Sequence, residues 1–343
     1  EAQRLAGKRG AKLAEKFVRQ YYEHVSTTDL AERSHARLAG DAMAMLKLSG
    51  RRKPGQIIID VRDPGGLDAG NASLHSVVDI LSDNMPFLLD SSSAELTRLG
   101  HSVHLIIHPV YRTRRDKTGK LQDFFAGNQT GAGVQNESMM SITINRQDDP
   151  ARIKEIEANL QSVLGDVYAA VEDWQAMRAK VQGIIDEFKL RNSEGAVADI
   201  AEAQDFLQWA HDDHFTFLGY REYDFAGPGK GAKARIDSGS GLGILRNPKR
   251  LVFNELRHLQ RAPSAVQRLV RRPDPLIISK ADIKSTVHRS VLLDTIGVKK
   301  FDAKGKVIGE RLITGLFTSV AYSSSPRDIP LLRRKLDRTI AQA

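Results

Sequence analysis

The sequence has 343 residues, of which 41% are hydrophobic and 27% charged, so it has the composition of a folded protein with one or two domains. It contains no cysteine, which excludes disulfides, thiolate zinc sites and a cysteine nucleophile and fits a reducing cytoplasm. The net charge of +9 is spread over short basic clusters between acidic residues, which favours solvated surfaces or an acidic protein partner over a nucleic-acid groove.

The ends of the sequence carry no sorting signal that we recognise. The chain starts at Glu1, residues 1–10 have no apolar signal core, and no apolar run reaches the length of a membrane span. Residues 329–335 have the pattern of a helix that is just starting. We therefore expect both termini to be cuts from a longer, cytoplasmic chain without a membrane anchor.

Residues 1–54 predict an N-terminal extension of two helices. Apolar residues recur at helical spacing from Leu13 to Val25. Residues 26–29 then offer capping side chains for a second helix, which passes through Met45 and ends at Gly50.

Residues 55–190 have the pattern of strand, helix, strand, strand and helix. The helix is expected to start with Asp83 and Asn84 as its cap and Pro86 in its first turn, and to end at Gly100. This order predicts an α+β domain with helices on one side of an antiparallel sheet. The expected elements are strands 57–59, 74–81, 101–114 and 137–145, a turn at 116–120, a Gly/Asn-rich loop at 122–135, and a long helix from residue 150 that bends or breaks at 165–166.

The strand at 137–145 predicts one buried and one outward face by its alternation. The side chains expected inward are Met140, Ile142 and Ile144, and those expected outward are Glu137, Ser141, Thr143 and Asn145. In the long helix that follows, an apolar stripe that includes Trp174 runs from Ile153 to Phe188.

Residues 196–343 predict a second, mainly antiparallel α+β domain after a boundary at 190–196. The expected elements are a helix at 197–210, strands at 215–225, 242–246, 276–279 and 291–301, a Gly-rich loop at 227–241, and a turn at 302–305 that leads into a hairpin through 322. The aromatic residues Phe215, Phe217, Tyr223 and Phe225 are expected on one strand face, as core or domain interface rather than as a base-stacking platform.

We identify no catalytic, cofactor-binding or metal-binding residue in the sequence. His104 and His108 share the face of a predicted strand but would lie about 13 Å apart, too far for one ion. Residues 211–214 combine two His and two Asp, which suits a hard cation but is also ordinary between a helix and a strand. The glycines of 239–243 precede a predicted strand instead of a helix, those of 227–231 lack the phosphate-loop spacing, and Ser91–Ser93 lack a nucleophile elbow.

Residues 83–89 lie between a strand and a helix, where exposed amide groups suit a carboxylate or another anion and where a plain helix cap is the alternative. A strand followed by an acidic residue, Pro, a further residue and two Leu resembles the signature of ACT domains, regulatory modules that often bind amino acids between copies. The resemblance implies Asn84, Asp90 and Ser91 as candidate effector contacts. The sequence departs from the pattern at Phe87, where ACT domains commonly have a Gly that lets an effector approach the backbone.

A closer resemblance covers the chain from about residue 17 to its end. The runs Asn84-Met85-Pro86-Phe87-Leu88-Leu89-Asp90-Ser91 and Phe215-Thr216-Phe217-Leu218-Gly219-Tyr220-Arg221 are similar to the N-terminal part of the large NAD-specific glutamate dehydrogenases. Further matching segments, in order, are 107–110, 137–140, 173–177, 241–243, 287–289, 315–318 and 329–333. The resemblance implies a ferredoxin-like βαββα ACT-like domain at 55–190, followed by a PAS-like domain at 196–343.

The same resemblance implies a regulatory and oligomerisation segment of an enzyme that converts L-glutamate, NAD and water to 2-oxoglutarate, ammonia and NADH. NAD and the active site would lie outside these residues, so we expect the chain alone to be inactive. Its partners would be the rest of the parent chain, other subunits of a homo-oligomer, and an amino-acid effector. Two alternatives stay open: a free-standing amino-acid sensor with ACT and PAS domains, and a basic nucleic-acid-binding module.

Overall fold

The computed structural model describes residues 2–31, 33–63, 74–125, 131, 133–193, 198–226, 233–253 and 274–342. The chain divides into two units, residues 1–165 and 166–343. Each unit contains, among the described residues, a six-stranded antiparallel sheet. The α+β class predicted from the sequence is thus confirmed for both.

The first unit begins with helices and continues as a sheet with crossing helices. Its helices are α1 Ala2–Tyr21, α2 Thr27–Ala31, α3 His35–Leu48, α4 Leu88–Arg98 and the first part of α5 Pro150–Glu172. Its strands are β1 Ile58–Arg62, β2 His75–Asp83, β3 Val103–Ile107, β4 Val110–Arg115, β5 Leu121–Phe125 and β6 Val134–Asn145.

The strand order of the first sheet is β1-β2-β6-β4-β5, and β3 also pairs with β6. Since β3 and β4 lie end to end along the same edge of β6, they act as one interrupted strand. The segments β2, α4, β3–β4, β6 and α5 therefore follow the predicted βαββα order. The interruption falls at His108 and Pro109, because proline has no N–H to contribute to the ladder.

Helices cover both faces of this sheet, so the prediction of helices on one side is wrong. On one face, Phe17 and Tyr21 of α1 and Met45 of α3 form a buried cluster with Leu81 and Met139 of the sheet. The opposite face of the sheet carries fully buried side chains as well, namely Val78, Ile80, Met140 and Ile142. Leu96 of α4 and Leu160 of α5 are also fully buried.

Because α1 packs on one face of β6, the prediction of an outward face for this strand is wrong. The predicted outward residues Glu137, Ser141 and Thr143 are all buried, at 0%, 4% and 4% exposure. The Tyr21 hydroxyl donates a hydrogen bond of 2.5 Å to Ser141, which places α1 directly over this face. Periodicity within β6 could not show that a second helical layer lies on its polar side.

Local boundaries differ from the predictions at three further places in the first unit. The second predicted helix is two helices, because Ser34 caps α3 by accepting a hydrogen bond from the Arg37 N–H. Residues 121–125 of the expected loop form the edge strand β5. The long helix continues through Gly165 and is interrupted instead at Asp173, where α5 gives way to α6, Trp174–Ser193.

The second unit contains α6, α7 Ala198–Trp209, a π-helical turn Ala210–His214, and the short helices α8 Ser319–Ser323 and α9 Leu332–Gln342. Its strands are β7 Phe215–Ala226, β8 Lys233–Ile236, β9 Leu242–Gly243, β10 Leu276–Lys284, β11 Leu292–Phe301 and β12 Val307–Phe317. They are ordered β10-β11-β12-β7-β8, and β9 also pairs with β7.

The core of the second unit lies between one face of this sheet and the helices α6 and α7. Strand residues such as Phe217, Ile296 and Ile313 pack against Val181 of α6 and Phe206 of α7. The exposed ring of Trp174, at 44%, lies outside the apolar stripe in which the sequence pattern placed it.

A β-bulge at Leu218 corrects the predicted aromatic face of β7. Thr314 pairs with Gly219 whereas Gly315 pairs with Phe217, so Leu218 is an extra residue in the strand. The bulge reverses the alternation, and Tyr220 therefore joins Phe217 in the helix-covered core while Tyr223 lies on the other face with Phe225.

The remaining corrections in the second unit concern strand ends. Residues 233–236 of the expected loop form β8, and the strand expected at 242–246 is reduced to two residues followed by a turn. Strand β10 is longer than predicted, while β12 ends at Phe317 because Thr318 caps α8. Residues 227–232 of the predicted loop lie outside the described residues.

Candidate functional site

The start of α4 is the place where sequence analysis put an effector site, and its backbone is unusual. Helix α4 begins at Leu88, so the predicted cap residues and Pro86 precede the helix instead of entering it. The residue at the cap position is Phe87, with φ +71° and ψ −1°, and no side chain caps the helix there. Phe87 thus occupies the left-handed conformation that the glycine of ACT domains would adopt without strain.

A buried ion cluster fixes the strand end just before this turn. Asp83, the last residue of β2, accepts hydrogen bonds from the Arg52 guanidinium and, at 2.7 Å, from the Gly55 N–H. Arg52 Nε also donates to Glu137 at 3.2 Å, and Arg115 binds the same carboxylate through two contacts of 2.7 Å. The cluster therefore ties the segment after α3 to three strands of the sheet.

The three candidate contact residues differ in their accessibility. Asn84 and Asp90 are exposed, whereas Ser91 is only 1% exposed. The Asn84 N–H donates to the Asn136 carbonyl at 3.0 Å, which continues the sheet ladder by one residue, and the Ser91 N–H donates to Phe87 at 3.0 Å. Asn84 and Asp90 are thus the two candidate side chains that are open to solvent in the single chain.

The histidines singled out in the sequence do not come together as a pair. His104 packs against His75, with ring centroids 4.5 Å apart, and burial together with the charge of His104 lowers the pKa of His75. His108 Nε2 lies 2.7 Å from Ser138 Oγ, and burial lowers the pKa of His108.

The motif at residues 211–214 forms the π-helical turn between α7 and β7. Asp213 has φ +63° and pairs with Arg178 at 3.0 Å. Burial and the neighbouring Arg178 lower the pKa of His211. Across the part of the chain that the structure describes, no group of three or more His, Asp or Glu side chains is arranged to hold a metal ion.

Two segments that sequence analysis matched separately contact each other in the second unit. Asp173, between α5 and α6, accepts hydrogen bonds from the Gly243 N–H at 2.7 Å and from Arg246 at 2.5 and 2.6 Å. Burial alone would raise the pKa of Asp173, but the hydrogen bonds from Arg246 and Gly243 lower it. Gly243 has φ +59°, and a side chain there would meet the Leu218 carbonyl oxygen at 2.2 Å.

Sequence reasoning missed the buried arginine Arg221 because β7 carries no local signal that marks it. Arg221 is 1% exposed and donates to the carbonyl oxygens of Leu245, Asn247 and Arg250 at 2.6, 2.7 and 2.7 Å. An arginine that donates to three carbonyl oxygens of one loop holds that loop in a defined shape.

Among the described helices, none has both the length and the hydropathy that a membrane span requires.

Comparison with known proteins relates the chain to one group of enzymes. Residues 17–160 match the family model described as glutamate dehydrogenase, ACT1 domain. The NAD-specific glutamate dehydrogenase of Halomonas elongata is 34% identical over 327 residues, which cover 93% of this chain and 20% of the relative. The enzyme of the same name from Pseudomonas aeruginosa is 31% identical over 320 residues, with the same shares covered.

A more distant relative and one solved structure complete the comparison. The NAD-specific glutamate dehydrogenase of Mycobacterium tuberculosis is 24% identical over 79% of this chain and 16% of its own length. An RNA-binding light-oxygen-voltage receptor covers 92% of this chain and 90% of its own at 10% identity, with a TM-score of 0.20, too low to indicate a common fold. The chain spans about a fifth of the length of the two most similar of these relatives. Residues 17–160 therefore correspond to the ACT1 domain of glutamate dehydrogenases, and the chain matches an N-terminal segment of the large NAD-specific glutamate dehydrogenases.

Proposed function

We propose that this chain is a regulatory and subunit-contact segment of an NAD-dependent glutamate dehydrogenase and that it contains no part of the active site. The observation that carries the proposal is the match of 93% of the chain to only a fifth of two NAD-specific glutamate dehydrogenases, with an ACT1 domain inside it. The parent reaction would be the oxidative deamination of L-glutamate to 2-oxoglutarate and ammonia with reduction of NAD. NAD would bind in the remainder of the parent chain, in a cytoplasmic homo-oligomer.

The effector part of the proposal is centred on the start of α4. Asn84 and Asp90 would contact an amino-acid effector, and Ser91 would contribute from beneath the turn. The exposed positions of Asn84 and Asp90 support this assignment, as does the rigid anchoring of Asp83 by Arg52 just before them. A second candidate role, which the Phe87 side chain favours, is a packing contact with another subunit at the same turn.

We propose further that residues 196–343 form a PAS-like domain. If the five longer strands of this region are numbered in chain order, the sheet order β8-β7-β12-β11-β10 becomes 2-1-5-4-3, the order typical of PAS domains. Helix α7, which packs on one face of this sheet, agrees with that architecture.

Two measurements on the purified chain test the non-catalytic and effector-binding assignments. Formation of NADH from glutamate and NAD should be undetectable, and measurable turnover would disprove the non-catalytic assignment. Titration calorimetry with the common amino acids should give heat for an effector that is lost in Asn84→Ala and Asp90→Ala. Heat that persists in both variants would place the effector elsewhere.

A chimeric enzyme tests the regulatory role. The corresponding segment of the Pseudomonas aeruginosa relative is replaced by this chain, and glutamate-dependent NADH formation is compared with and without the amino acid identified by calorimetry. We expect activity to be retained and its response to that amino acid to depend on Asn84 and Asp90. Retention of DNA or RNA by the chain at low salt, with loss at high salt, would instead favour the nucleic-acid alternative.

A further inference from the structure

A pocket of about 460 Å³ opens in the second unit, next to the loop of residues 244–251. Its wall combines three cationic residues, Lys249, Arg250 and Lys284, with the apolar residues Ile244, Ile283 and Leu293. Its volume lies in the range of small-molecule sites, about 300–1,000 Å³. The lining therefore has two parts, a positively charged one and an apolar one.

The positive charge of this wall is only partly compensated. Arg250 pairs with Asp166 at 2.7 Å, and Asp166 also accepts a hydrogen bond of 2.7 Å from Thr286. Lys249 and Lys284 are exposed, and neither has a carboxylate partner within the described ranges of the chain. Two ammonium groups are thus available to an anion in the pocket.

The loop that carries Lys249 and Arg250 is held in shape by the buried side chain of Arg221. Arg221 donates to the carbonyl oxygens of Leu245, Asn247 and Arg250, and its side chain is buried. No carboxylate lies against Arg221 among the described residues, so it adds positive charge beneath the loop in a region of low dielectric constant. A loop fixed in this way loses little conformational freedom when a ligand binds.

We propose that this pocket binds a small organic anion. Its carboxylate or phosphate group would lie between Lys249 and Lys284, next to Arg250, and its apolar body would contact Leu251 and Ile283, the half-buried apolar residues of the lining. The site is distinct from the start of α4 and does not depend on the proposed function of that turn.

The test uses calorimetry on the full 343-residue chain with four probes: benzoate, phenyl phosphate, benzamide and inorganic phosphate. We expect benzoate or phenyl phosphate to bind, and the tighter of the two identifies the anionic group. Benzamide lacks the charge and inorganic phosphate lacks the apolar body, so both should bind at least about tenfold more weakly. The proposal is overturned if benzamide binds as tightly as benzoate, if inorganic phosphate binds as tightly as phenyl phosphate, or if neither organic anion binds.

Charge-matched variants locate the site. Lys249→Gln with Lys284→Gln should weaken binding of the organic anion at least about tenfold, since each removes a charge-assisted contact. The control is Lys304→Gln with Lys306→Gln, which makes the same change in net charge at two exposed lysines beyond the end of β11. Equal weakening in both double variants would mean non-specific attraction and would overturn the site. Thermal unfolding of each variant verifies that the fold is intact.

Discussion

The guanidinium of Arg52 donates to the carboxylate of Glu137 at 3.2 Å, and neither side chain is exposed to solvent. Arg115 binds the same carboxylate, so one buried anion is shared by two arginines, and Arg52 extends the cluster to Asp83. The cluster lies at the end of β2, directly before the turn that leads into α4.

Loss of the shared carboxylate should be costly. In Glu137→Gln two arginines stay in the protein interior without their counter-ion, so we expect the free energy of unfolding to fall by about 3–5 kcal/mol. Urea unfolding monitored by circular dichroism measures the change. The control is Glu15→Gln, because Glu15 forms an exposed pair with Arg19 and should contribute less than about 0.5 kcal/mol. Similar losses in the two variants would contradict the role of the cluster.

At position 87, glycine should give a more stable protein than alanine, which is the reverse of the order expected inside a helix. Both substitutions remove the ring, but only glycine adopts φ +71° without strain, so Phe87→Gly should be more stable than Phe87→Ala by about 1 kcal/mol. At Ser93, inside α4, the order should be the usual one, with alanine about 1 kcal/mol more stable than glycine. Urea unfolding of the four variants tests this. If alanine is the more stable residue at both positions, the left-handed turn is not a fixed feature of the fold.

Two glycines should respond to alanine in opposite directions. Gly165 lies inside α5 with open space around it, so Gly165→Ala should raise stability by about 0.5–1 kcal/mol. Gly243→Ala should lower stability by about 2 kcal/mol or more, because its side chain would meet the Leu218 carbonyl oxygen at 2.2 Å and φ is +59°. Thermal unfolding compares the two. A loss of stability in Gly165→Ala would contradict this expectation and would support the bend predicted at residues 165–166.

His108 should make the fold sensitive to mild acid. Burial lowers its pKa, so the unfolded chain binds the proton more readily than the folded one. Its contribution to stability is complete above the unfolded pKa of about 6.5 and is lost as the pH falls below that value, at no more than about 1.4 kcal/mol per pH unit. Urea unfolding between pH 7.5 and 5 should show a smaller loss for His108→Gln than for the unmodified chain. His24→Gln, at an exposed position, should leave the loss unchanged, and an equal effect of both substitutions would contradict the assignment.

The sequence predicts the elements whose signals are local. The helix α4 ends at Arg98, two residues before the predicted stop at Gly100, which has φ +86°. Strands β2 and β6, helix α7 and the β11–β12 hairpin also lie close to their expected positions. Each of these has its own periodicity or turn residues. The order of strands and helices, and with it the ACT-like resemblance, follows from such local features.

The features that the sequence does not predict depend on partners far away in the chain. Strand β5 forms at the sheet edge because it pairs with β4, and the bulge at Leu218 exists because β12 changes register at Gly315. At the candidate site the position of α4 is predicted to within a few residues. The left-handed turn at Phe87 is not, because no local preference selects that conformation for a phenylalanine.

The helical cover over β6 has a consequence for how subunits could assemble through the first unit. Because α1 and α3 occupy one face of the sheet and the other face is also buried, the described part of the sheet offers a second copy no bare face on which to stack. Within the described residues, the strand edges without a strand partner are the outer edges of β1, β3 and β5. Assembly by extension of the sheet, or through the outer surfaces of the helices, is the geometry that this unit leaves open.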